Sequence, residues 1–138
     1  MDAVSVVIEQ LKQGVPPWVE VKGLLALSDL DKQALNRTPA LFVINLAERA
    51  APDVRGSGPA LQTVSLTLGV VVVEKAHNRE PDLLPLRQEI RRRLFGWAPQ
   101  GFEALTLDGG QLLNIHKGQV AWIDKFTTEY TEDANHGS

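Results

Sequence analysis

Asp124 is the residue whose surroundings look least like its type. In the segment Val120, Trp122, Asp124, Phe126, Thr128, Tyr130, alternate positions share one face of an extended chain, and the carboxylate interrupts an otherwise apolar stripe. A carboxylate so placed has two uses. It can act as a general acid or base, which calls for a second ionisable group nearby, or it can pair with an arginine or lysine. A bulge that turns it outward is the third solution. No acid–base mate is apparent in the sequence, so pairing or a bulge is the favoured reading. Arg87, Arg91, Arg92 and Arg93 form the densest basic cluster. Successive helical residues point about 100° apart, so the run cannot make one flat phosphate clamp. The expectation is a solvated helix face whose aliphatic stems cover apolar edges, with a partner-binding patch as the alternative.

Other chemistry is thinly supplied. His77, His116 and His136 are the histidines, and none has the spacing of a helical metal site. The run Gly56-Ser57-Gly58-Pro59 lacks the third glycine of a dinucleotide fingerprint and the Lys-Ser/Thr of a P-loop, so it reads as a surface loop. With no cysteine, a disulfide scaffold, a thiolate zinc site and a cysteine nucleophile are excluded. No catalytic residue, cofactor or metal is assigned.

Composition sets the class. The chain of 138 residues is 43% hydrophobic and 22% charged, ordinary usage for one globular domain able to bury about two-thirds of its unfolded surface. Its formal charge of −3 lacks the basic excess of a general nucleic-acid binder, so no sequence recognition of nucleic acid is expected. The start, Met1-Asp2-Ala3-Val4, lacks the features of a secretion signal, and the apolar run at 69–73 is far short of the ~20 residues needed to span a bilayer. A soluble protein of a cytoplasm, without membrane contact, is expected.

The elements that must position these residues follow from periodicity. Val4, Val7, Ile8 and Leu11 share a helix face behind Asp2 as N-cap. Residues 18–22 alternate as a strand, and Ser28-Asp29-Leu30-Asp31 opens a short helix. Residues 41–46 read as an interior strand. Residues 47–60, broken by Pro52 and Gly56–Pro59, read as a long loop carrying Glu48, Arg49, Asp53 and Arg55, the candidate interaction element. Residues 62–75 form the longest strand, polar first and apolar later on one face, as though half of that face lies under a helix. Residues 82–95 are the best helix, with Leu83, Leu86, Ile90 and Leu94 inward and Glu89 able to pair with Arg93. Asp108-Gly109-Gly110 signals a hairpin between 105–107 and 112–115, and a last strand starts at Gln119. The expectation is an α+β fold, mostly antiparallel sheet with helices packed on it, as one domain over 1–132 with a flexible tail at 133–138.

Several segments taken in order carry a resemblance. They are Thr38-Pro39-Ala40-Leu41-Phe42-Val43, the Val-rich strand ending Val73-Glu74-Lys75, and the helix ending Arg93-Leu94-Phe95-Gly96-Trp97. Leu105-Thr106-Leu107-Asp108-Gly109-Gly110 and Gln119-Val120-Ala121-Trp122-Ile123-Asp124 follow. This string resembles the tail terminator (tail-completion) proteins of long-tailed bacteriophages over nearly the whole chain. The resemblance implies a structural protein without enzymatic activity or cofactor. It would form a hexameric ring on the head-proximal end of the tail tube, end tube polymerisation and offer the head-attachment surface. Its partners would be further copies of itself, the tail tube protein and a head-completion or connector protein. The alternatives are another phage neck subunit, or a small ligand-binding or hydrolytic α+β domain.

Overall fold

Strand alternation gives residues 61–75 two unlike faces, and the sheet is built around that strand. The computed structural model describes residues 2–32, 37–53, 60–76, 81–113 and 118–133. In chain order these form α1 (Ala3–Leu11), β1 (Glu20–Leu24), a 3-10 helix (Leu27–Lys32), β2 (Ala40–Ala50), β3 (Leu61–Lys75), α2 (Leu84–Leu94), β4 (Thr106–Leu113) and β5 (Gln119–Asp133). The strands make one five-stranded sheet in the order β1-β2-β3-β5-β4. Only β1 with β2 is parallel; the other pairs are antiparallel. The molecule is the α+β domain that the periodicities predict.

On one face, Leu66, Leu68, Val70 and Val72 pack with Phe126 beneath Val7 and Leu11 of α1 and Ile90 and Leu94 of α2. On the other, Val71, Val73, Phe42, Ile44 and Ile123 meet Leu30 of the 3-10 helix. Along that second face Thr63, Ser65 and Thr67 stay partly open, so the split between polar and apolar halves is real. Asp2 caps α1 by accepting from the Ser5 amide at 2.8 Å, a bond that holds its carboxyl below the usual range. Pro85 sits in the first turn of α2, where its missing N–H costs nothing.

Three local expectations need correction. The strand expected at 18–22 lies at Glu20–Leu24, because Trp18 is instead buried and donates Nε1–H to the Leu11 carbonyl at 2.8 Å. Residues 47–50 are strand, not loop. After a register shift between Asn45 and Ala47, β2 stays paired with β3 as far as Ala50 opposite Val64. Exposed polar side chains are compatible with pairing when the partner strand is long enough to satisfy the backbone.

The third correction concerns Asp108-Gly109-Gly110, which is no hairpin. β4 runs through it and pairs with β5 on both sides, with a shift between Leu107 and Gly110. The glycines serve this bulge. Gly109 has φ +102, and a Cβ on Gly110 would lie 2.5 Å from Asp124 Oδ1 and 2.8 Å from the Ile123 carbonyl oxygen. Gly110→Ala is therefore expected to cost roughly 1–3 kcal/mol. Urea unfolding reads it, and an unchanged midpoint would refute the close approach.

Candidate functional site

The alternation of β5 turns Asp124 toward α2, where it is fully buried. Arg87 and Arg91, one helical turn apart, converge on it from above. Arg87 Nε donates to Oδ2 and its terminal nitrogen to Oδ1, both at 3.3 Å, and Arg91 donates to Oδ1 at 3.2 Å. Trp122 Nε1–H adds a bond to Oδ1 at 3.1 Å, and the Arg87 guanidinium lies 3.9 Å from the Trp122 ring centroid. Both carboxylate oxygens are engaged, and Gly110 closes the remaining approach. The arrangement suits a structural clamp, since a general base needs a free lone pair that a substrate proton can reach.

Arg93 makes a second clamp. It donates to the carbonyl oxygens of Gln10 (3.4 Å), Leu11 (3.3 Å) and Gln13 (2.6 Å), and lies 5.1 Å from the Trp18 ring centroid. A guanidinium there meets the negative end of α1, where orphan carbonyls need donors. In return Gln10 Nε2 donates to the Arg93 carbonyl at 3.1 Å. Arg93 Nε also pairs with Glu89 at 2.7 Å. Hydrogen bonding from Arg92, then Arg93, lowers the Glu89 carboxyl to about 2 against the drag of desolvation. The expectation of a merely solvated arginine face fails for Arg87, Arg91 and Arg93. It holds for Arg92, whose side chain is 69% exposed. The groove beside these residues, about 1060 Å³ between α1 and α2, is lined by Gln10, Val15, Pro16, Pro85, Arg92 and Trp97. Its charged groups are spent on each other, so they do not converge on an empty point where a substrate could react.

The predicted interaction residues separate. Glu48 and Arg49 lie on adjacent positions of β2 and so face opposite sides of the sheet, both exposed. Asp53 lies past the strand end, where Oδ1 accepts from the Leu61 amide at 3.2 Å and helps close the β2–β3 connection. Arg55 lies outside the described residues, as do His77, His116, His136 and Gly56–Pro59. Among the described residues no group of His, Cys, Asp or Glu is arranged to hold a metal ion, and no helix is long and apolar enough to cross a membrane.

Two surface features were missed by sequence reasoning. The first is the outer stripe of α2, where Leu84, Gln88, Arg92 and Phe95 are exposed on one side of the helix. Its signal was available: Leu84 and Phe95 are apolar residues off the inward face of Leu83, Leu86, Ile90 and Leu94. The second is an acidic end of the sheet. Glu132 bonds to Tyr130, on which Phe102 packs edge-on at 5.5 Å, and Glu48 lies on the same face two strands away. Burial first, then a hydrogen bond with Glu132 and the charges of Glu132 and Glu48, pushes the Tyr130 hydroxyl up. The strand register sets Glu48 opposite Leu66 and Glu132 opposite Gln62 on one face of the sheet, which no local pattern encodes.

Comparison with known proteins gives one family. The family model described as phage tail terminator protein matches residues 1–135, which takes in all the described elements. No curated protein matches the chain.

Proposed function

Because the chain belongs to the phage tail terminator family, a structural component of the phage tail that associates with other tail parts, we propose that it closes into a homohexameric ring on the head-proximal end of the tail tube. There it ends tube polymerisation and offers the surface to which the filled head attaches. The observation that carries this reading is the family match across residues 1–135. The geometry supports it by what the buried charges do. Asp124 with Arg87 and Arg91 holds α2 on the sheet, and Arg93 ties α2 to the end of α1, so these charges serve the fold. Partners on this reading are further copies of the chain, the tail tube protein and a head-completion or connector protein, met in the host cytoplasm during assembly.

The end of β2 with Glu48 and Arg49, and the connection to β3 with Asp53 and Arg55, are proposed as elements that contact these partners. Ring closure requires two different patches per subunit and a rotation that returns to its start. Weak contacts between free copies become strong on a tube end, which presents several anchoring sites at once.

The test is assembly without this protein, followed by electron microscopy. Abnormally long tubes that do not join filled heads are expected, with capsids still formed. Tubes of normal length that fail to join heads would favour a neck connector instead. Normal, head-joined tails would end the terminator reading.

A further inference from the structure

We propose that the outer stripe of α2 on one copy docks against the acidic end of the sheet on a second copy, making the subunit contact of the assembly. This rests on the ring reading above and goes beyond it by assigning the two surfaces that meet.

The stripe has the make-up of a binding ridge. Leu84 is 49% exposed, Phe95 61% and the Arg92 side chain 69%, with Gln88 exposed between them and the Arg91 side chain 39% open beside them. Aromatic and arginine side chains supply most of the binding energy at protein contacts, and an apolar residue at each end of a basic middle fits that chemistry. Each arginine has an acidic partner within the chain, yet the balance of the stripe stays positive. α2 carries Arg87, Arg91, Arg92 and Arg93 against Glu89, and Asp124 beneath adds the one further carboxylate described in contact with them.

The acidic end is the complement. Glu48 and Glu132 are exposed on the face of Tyr130, on which Phe102 packs, and Glu103 is exposed at the same end, its amide bonded to the Glu129 carbonyl at 2.9 Å, while the Glu129 side chain turns to the other face. Carboxylates around two aromatic rings offer acceptors for arginine and apolar surface for Phe95 and Leu84. Each patch repels its own duplicate, so α2 against α2 is disfavoured and the basic patch of one copy meets the acidic patch of the next. Such a contact leaves one patch free on each outer copy until the ring closes.

Charge inversion tests the pairing. Arg92→Glu inverts the stripe, Glu132→Lys inverts the acidic end, and one chain carries both. All three keep exposed positions exposed, so thermal melts matching the parent are the check on folding. Light scattering over a concentration series reads assembly alone, and electron microscopy of tube lengths reads capping. Each single inversion is expected to raise the concentration for half-assembly at least about tenfold, and the doubly inverted chain to recover most of that loss. Raised salt should weaken the parent contact. The pairing is overturned if the single inversions assemble and cap like the parent, or if the double inversion is no better than the worse single. If the parent caps tubes while the inversions are silent, the interface falls and the ring reading stands. If the parent neither closes rings nor caps tubes, both fall.

Discussion

Asp124→Ala should lose about 3–5 kcal/mol of folding stability, the usual result of removing one member of a buried ion cluster. The cause lies in what stays behind. Arg87, with only 17% of its side chain exposed, would keep its charge beside Arg91 with no carboxylate between them, and Trp122 Nε1–H would lose its acceptor. A loss of this size is a large part of the stability of an ordinary domain, so the variant should unfold at markedly lower urea concentration. The companion variant Arg87→Met/Arg91→Met/Asp124→Leu removes the charges together and should regain much of the loss, because a paired cluster contributes little net stability over apolar packing. Equal loss in both would show that shape, not uncompensated charge, governs the site.

Arg93→Ala is expected to cost roughly 3 kcal/mol, on the scale of a few charge-assisted hydrogen bonds. The arginine joins three carbonyl oxygens at the end of α1, the Glu89 carboxylate and the Trp18 ring. The damage should be local. Hydrogen exchange should speed up in α1 before the β3–β5 core, whose amides are held by an uninterrupted ladder from Leu61–Asp133 to Lys75–Gln119. Arg93→Lys should rescue poorly, since an ammonium cannot spread its donors as the planar guanidinium does. Uniform loss of protection across the sheet would contradict the clamp.

The sequence made the strands and helices legible wherever burial imposes a period. Val64 to Val72 alternate because one face of β3 must be covered, and Leu83, Leu86, Ile90 and Leu94 recur because one stripe of α2 must be. Asp124 stood out for the same reason, a charge where the period demands an apolar group. What escaped depends on register. Asp108-Gly109-Gly110 has the composition of a tight turn and of a bulge alike, and only pairing with Asp124 on β5 decides between them. The extension of β2 through Ala50 was hidden because its side chains are exposed and carry no alternation. The Glu89–Arg93 pair was legible from its spacing, but the long-range partners of the arginines were hidden. Arg87, Arg91 and Arg93 look alike along the chain, yet α2 turns two of them to β5 and one to α1.

The bulge in β4 bears on how copies of this chain avoid each other. β4 is an edge strand with almost every residue exposed, pairing with β5 alone among the described strands. A flat edge of eight residues would offer its free amides and carbonyls to any passing strand, and sheets joined that way add further units without limit. Here the carboxylate of Asp108 and the left-handed turn of the backbone at Gly109 interrupt the row at its middle. The opposite edge, β1, is only five residues long. Both margins are thus poor templates for an open-ended fibre, so a protein of the phage tail can meet other copies at chosen surfaces without adding strands edge to edge.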